Sequence, residues 1–393
     1  MYLPDQVHFE PVQKRTVLGL DWRYEVTNHE GDPFQPFLPE EEGGPATDST
    51  RGVVVVGSRL GYITCLDAIN GRLMWRTRVK GRVVSKPLID KRRVFFGTSS
   101  GNLVAVDLDS GERLWKYSAN GEIMAQPIVN GDTLIFATNA NTVYALNKRT
   151  GRWKWHYKKE RNKEMSIRGL SRPTIIGKQV VTGFSDGTLV SLDLADGSLL
   201  WSRDLSSKQT HFIDINTTPV LEDSMIFVSS FAGGLFCVKA KDGSIVWSDS
   251  TLTGISGIVR IQGLLWAVSF ENGIEAFKVR DGSRVFSYKP EIWSMPNKPI
   301  IADNLLIVST FEGPVFVFDA FCGKLIQTFA TGYGFASSPE VGFSRVYVLS
   351  NGGFLYAFKL GREGYLDVGT GTRNKGRKLF GPEILEQTAY YEQ

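Results

Sequence analysis

Apolar positions along this chain recur with a period of two, in short runs cut by glycine-containing turns. Residues 105–115, AVDLDSGERLW, contain the whole unit. Val104 and Val106 fall on one face of a strand, Ala105 and Asp107 on the other, and Asp-Ser-Gly then reverses the chain. Gly111 suits the left-handed turn position because it lacks a Cβ. Trp115 opens the returning strand with a large flat side chain. A lone hairpin would leave that indole wet, whereas a neighbouring copy of the unit could cover it.

Copies are present. Turn glycine and the residue four positions on recur as Gly71/Trp75, Gly111/Trp115, Gly151/Trp155, Gly197/Trp201, Gly243/Trp247, Gly282/Phe286 and Gly323/Gln327, at steps of 40, 40, 46, 46, 39 and 41 residues. That period belongs to four-stranded propeller blades. Eight strand pairs succeed one another at 53–67, 94–107, 134–146, 180–193, 225–238, 264–277, 305–318 and 346–358. The eighth has no Trp strand after it, while VLGLDWRYEV at 17–26 carries Trp22 on a strand with no hairpin of its own. The pattern predicts an all-β, eight-bladed propeller of four-stranded antiparallel blades, closed by the N-terminal strand completing the last blade so that no sheet edge is left between blades. Its expected organisation is an irregular segment 1–17, the propeller 18–360 and a C-terminal extension 361–393. Trp22, Trp75, Trp115, Trp155, Trp201 and Trp247, with Gly71, Gly111, Gly151, Gly197 and Gly243, form the expected structural motif. At Phe286 and Gln327 the Trp position has decayed, so truncating Gln327 is expected to cost far less than truncating Trp115.

Composition adds mainly exclusions. The 393 residues exceed a usual single core, but radial repetition lets a propeller grow. A net charge of +4 with interspersed signs gives no nucleic-acid footprint, and the basic cluster Lys158, Lys159, Arg161, Lys163 is diluted by Glu160 and Glu164. No apolar run approaches the roughly 18 residues needed to span a bilayer. Cys65 and Cys237 take the small strand position held elsewhere by Ala105, Ala145, Ser191, Ala276 and Ala357, and Cys322 sits in a turn; no pair has metal or redox spacing. His8, His29, His156 and His211 are read as loop residues without metal spacing, and Asp67, Asp107, Asp193 and Asp319 as acceptors for turn amides. No catalytic residue, metal site or cofactor is expected. Met1 is followed by no basic n-region, apolar h-region or lipobox cysteine, so for an exported form the expectation is a signal already removed or lying upstream.

The hairpin motif A-x-D-x-x-[TSN]-G-x-x-x-W resembles the tryptophan-docking repeat of the pyrroloquinoline-quinone (PQQ) propeller superfamily. Two loops, MSIRGLSRP at 165–173 and DINTTPV at 214–220, resemble segments of its BamB family, lipoprotein propellers of the outer-membrane β-barrel assembly machine. The resemblance implies a non-enzymatic scaffold at the periplasmic side of the outer membrane. It would dock on the periplasmic POTRA domains of the assembly subunit BamA and help to present unfolded outer-membrane proteins. The matching partner-binding residues are Met165, Ile167 and Arg168 in one loop and Asp214 and Asn216 in the next; Arg168 and Asp214 could instead pair with each other. The two 46-residue steps lengthen consecutive blade connections, which should extend side by side from one rim. Two alternatives stand beside this reading, a PQQ-dependent quinoprotein dehydrogenase and a generic propeller adaptor. The first is weakened by the absence of adjacent cysteines.

Overall fold

The computed structural model describes residues 17–27, 40–160, 171–206 and 212–361. Their secondary structure is strand and turn, gathered into eight four-stranded antiparallel sheets. In blade 1 the strands run Pro45–Asp48, Val53–Gly57, Tyr62–Asp67 and Leu73–Arg78, here a to d from the channel outwards. Blades 2 to 7 repeat that order over 88–118, 128–158, 174–204, 220–249, 255–288 and 300–329. Blade 8 takes Glu340–Gly342, Arg345–Leu349 and Phe354–Leu360 from the end of the chain and Leu18–Glu25 from its start. That N-terminal strand pairs along Phe354–Leu360, with Leu18 opposite Leu360 and Trp22 opposite Ala357. Closure by the N-terminal strand therefore holds. Residues 1–16 and 362–393, which carry almost all of the two flanking segments, lie outside the described residues.

The middle strands b and c are apolar on both faces because each blade is sandwiched between two neighbours. Val53, Val55, Ile63 and Cys65 of blade 1, for example, share one core with Val94, Phe96, Val104 and Val106 of blade 2. Equivalent cores join blades 7 and 8 and blades 8 and 1, so the closing blade is buried on both sides. Outer strands alternate with solvent, as in Leu199–Asp204.

Packing between blades explains the Gly/Trp pairs. Each turn glycine has φ near +70° and lies against an aromatic ring of the preceding blade, an indole in all but one case: a Cβ on Gly111 would sit 2.5 Å from Trp75, and one on Gly71 would sit 2.7 Å from Trp22. Any side chain there would push the indole out. Except at Trp247, whose ring N–H is buried without an acceptor, the Trp ring N–H donates to the carbonyl three residues before the glycine, as from Trp75 to Leu108 at 2.7 Å, Trp155 to Leu194 at 3.1 Å and Trp201 to Ala240 at 3.1 Å. Small residues face these indoles across the sheet, Cys65 opposite Trp75, Ala105 opposite Trp115 and Cys237 opposite Trp247. The cysteines are buried there, and burial pushes the Cys65 thiol up to about 12. Asp67, Asp107, Asp193 and Asp319 accept hydrogen bonds from their own turn amides.

Two departures from the motif have tasks of their own. Phe286 packs on Gly323 but has no N–H to give. The fully buried Trp266, on strand b of the same blade, donates instead to Ala320 O at 2.9 Å, the carbonyl that a Trp at 286 would have reached. Gln327 faces blade 8, whose outer strand does not arrive through a hairpin turn. With no turn glycine to dock on, it holds the incoming strand: Oε1 accepts from Val17 N and Leu18 N, and Nε2 donates to Leu18 O, each at 2.9 Å. The expectation that Gln327 is nearly dispensable is thereby corrected. His156 is also corrected, since it lies on strand d of blade 3 opposite Tyr144 rather than in a loop.

Candidate docking face

Antiparallel blades put a–b and c–d turns on one face of the disc and b–c turns with the blade-to-blade connections on the other. The second face carries the described ends of both lengthened connections, 159–160 with 171–173 and 205–206 with 212–219, on consecutive blades. Met165, Ile167 and Arg168 lie outside the described residues, whereas Asp214 and Asn216 lie within them. Asp214 is fully buried, and its carbonyl accepts from Phe231 N at 2.9 Å in the b–c turn of the same blade. Asn216 is half-buried, its Nδ2 donating to Ile255 O at 3.2 Å, while its Oδ1 is buried without a partner.

Features that the motif reading missed surround these two. Phe212, Phe270, Ile292, Met295 and Tyr333 are each 39% exposed or more, from blade 5 round to blade 8. Backbone bonds tie their loops together, among them Ala232 N to Phe212 O, Phe270 N to Gly254 O and Phe311 N to Met295 O. An exposed apolar rim of this kind is a usual mark of a protein interaction surface. Each of these residues stands alone in a loop, so no local periodicity announces it. Further round, Asn351 joins blades 7, 8 and 1: its Oδ1 accepts from Ala336 N and Glu41 N, and its Nδ2 donates to Phe311 O. Glu41 is buried beside it, accepts from Arg59 N at 2.9 Å, and lies 3.4 Å from the Arg59 guanidinium. Burial outweighs those contacts and raises its carboxyl to about 6.

Inside the rim the channel opens into a cavity of about 440 Å³, lined by Glu40, Glu42, Arg82, Glu122, Asn216 and Lys298 among others. Burial raises the Glu42 carboxyl, Arg82 opposes the rise, and Glu40 and Glu122 add to it. Among the described residues no three His, Cys, Asp or Glu side chains are grouped to hold a metal ion, and no helix is long and apolar enough to cross a membrane.

The family model described as outer membrane protein assembly factor BamB matches residues 21–120 and 90–288, more than half of the chain. The chain belongs to the BamB family. BamB of Yersinia pestis is 21% identical over 311 residues, an alignment covering 78% of this chain and 68% of that protein. Against other curated BamB proteins the chain spans about half of their length. The crystal structure of BamB from Moraxella catarrhalis superposes with a TM-score of 0.75 at 20% identity, over 87% of this chain and 100% of that one. Quinohemoprotein alcohol dehydrogenase from Comamonas testosteroni shares the fold at a TM-score of 0.68 and 14% identity, over 93% of this chain and 79% of that one. BamB relatives are named as assembly factors, and the likeness to the dehydrogenase shows the propeller fold alone.

Proposed function

We propose that this chain is a non-catalytic scaffold in the assembly of outer-membrane β-barrel proteins, held at the periplasmic face of the outer membrane and docked on periplasmic domains of BamA. The carrying observation is the match of a BamB family model over more than half of the chain. The apolar rim supports the reading, since it gives a BamB-family propeller a surface beside the connections that hold the family-like loops. Ile167 and Met165 supply apolar anchors in this account, and Arg168 a planar fork for a carboxylate or backbone carbonyls. Asn216 faces the partner from the wall of the cavity in this account, and Asp214 holds the loop. Residues 18–360 act as the working domain.

Delivery of unfolded clients fits the outer strands. Leu73, Met74, Leu114, Leu199, Leu200, Ile245 and Val246 are exposed there, on edges that can accept an extended segment by strand addition. The test is capture from solubilised outer membranes of the source organism with the purified propeller. BamA is expected in the eluate, and its absence under conditions that retain other machine components would oppose the reading.

A further inference from the structure

Round the outside of the ring the same four places recur from blade to blade, three and one residues before the aromatic of strand d that packs on the next blade, and one and three after it. Blade 1 puts Arg72, Met74, Arg76 and Arg78 there, blade 2 Glu112, Leu114, Lys116 and Ser118, and blade 3 Arg152, Lys154, His156 and Lys158; all twelve are exposed. Blades 4 to 6 fill the equivalent places with serine seven times and an aliphatic residue three times, leaving Asp204 and Lys289 as the charged ones. Register supports the equivalence. Arg76, Lys116 and His156 lie opposite Thr64, Val104 and Tyr144 of strand c, as Ser202 and Ser248 lie opposite Val190 and Phe236. Signs that are interspersed along the sequence are therefore separated in the ring, with seven cations and Glu112 on one arc and a nearly neutral arc beyond it.

The cations of this arc are not neutralised by the protein. None of the seven makes an ion pair among the described residues, and the nearby turn carboxylates Asp109 and Asp132 are engaged by Arg92 at 2.8 Å and Arg149 at 3.3 Å. Beyond the arc the opposite holds: Arg284, on the outer strand of blade 6, is met by Asp249 at 2.9 Å and Glu275 at 3.2 Å. Like charges gathered on one surface repel one another, and a negative counter-surface relieves that repulsion. Trp153 stands among them, 55% exposed, with its ring centroid 6.0 Å from that of His156. An exposed indole beside cations is the pairing found where protein meets lipid headgroups.

We infer that the outer strands of blades 1 to 3 form a contact surface for an anionic phospholipid bilayer. The inference deepens the scaffold reading, from which it takes only the presence of a membrane beside the chain. The charge is spread round a curve of three blades, where a rigid acidic protein would meet one blade at a time and fluid headgroups can gather about all of them. Seated this way the disc stands on its edge. Its loop face, with the apolar rim, then looks along the membrane and stays open to a partner held at the same surface.

The test is co-sedimentation of the full chain with vesicles of phosphatidylcholine containing about one third phosphatidylglycerol, against vesicles of phosphatidylcholine alone. The parent is expected to bind the anionic vesicles, more weakly as salt is raised, and not the neutral ones. Combining Arg72→Gln, Lys116→Gln, Arg152→Gln and Lys158→Gln should weaken binding more than about thirtyfold. A variant of the same net charge, with Lys178→Gln, Lys239→Gln, Lys241→Gln and Arg280→Gln on blades 4 to 6, should lose less than about threefold. Equal losses in the two would reduce the effect to net charge and overturn the assignment, as would unchanged binding in the first. Tighter binding to soluble poly-glutamate than to the vesicles would also overturn it, by marking the arc as a protein site. If the first variant does not fold, acetylation of the parent decides: Lys116 and Lys158 shielded on anionic vesicles, with Lys178 and Lys241 still labelled, supports the contact, and equal labelling refutes it. The vesicles hold no BamA, so failure here strikes the bilayer contact and leaves BamA docking to its own binding test.

Discussion

Replacing Gln327 by Ala should loosen the closure of the ring at one identifiable strand. Its side chain makes three bonds of 2.9 Å to the backbone of Val17 and Leu18, and Leu18 is only 4% exposed, so the groups left behind do not regain water freely. At about 0.5–1.5 kcal/mol for each bond, with the upper part of that range for buried groups left unpaired, the loss is about 2–4 kcal/mol. The rest of the N-terminal strand keeps its pairing with Phe354–Leu360, so the effect should be local opening before global unfolding. Amide hydrogen exchange reads this directly. Protection at Val17 and Leu18 is expected to fall roughly 30- to 1,000-fold, while amides of Val54 and Val55 in blade 1 change little. Gln327→Trp should not rescue it, because blade 8 has no hairpin turn for an indole to cover. Exchange at Leu18 unchanged within a factor of three, or full rescue by Trp, would show that Gln327 is a decayed motif position after all.

The same contacts set other expectations. Trp155→Ala removes an indole that is 4% exposed and leaves Leu194 O without its donor, for a loss of about 3–5 kcal/mol in urea denaturation. Trp266→Phe should destabilise blade 6 by about 1–3 kcal/mol through the unpaired Ala320 carbonyl, and a loss near zero would remove the compensation argued for Phe286. Glu41 has its folded-state carboxyl raised from 4.5 to about 6, so its stabilising proton is fully held below about pH 4.5 and is lost as pH rises through 6. That removes about 2 kcal/mol by neutral pH, and Glu41→Gln should flatten the decline in melting temperature over this window. Deleting residues 1–26 should expose the edge of Phe354–Leu360 and cause aggregation or a large fall in melting temperature.

Repeats made the architecture legible because five of the seven copies display the same turn glycine and Trp, and because the one strand of this type without a hairpin, at Trp22, answers the one hairpin without a returning strand, in blade 8. Identity at one position was a poorer guide where a neighbour took over its task. Gln327 has meaning only beside Val17, 310 residues away, and Trp266 only beside Phe286 and Ala320. At the candidate docking face, the loop resemblance drew attention to residues 214–220, and burial separates Asp214, which should lower the melting temperature when replaced by Ala, from Asn216 at the wall of the cavity.

Equilibrium binding of the full chain to the isolated periplasmic domains of BamA from its own organism, measured for the parent and for Ile167→Ala and Arg168→Ala, tests the scaffold role most directly. The parent is expected to bind, and each variant to bind more than about tenfold more weakly, a change of roughly 1.4 kcal/mol, with melting temperatures unaltered. A parent that fails to bind, or variants that both bind within a factor of two of it, would contradict that role.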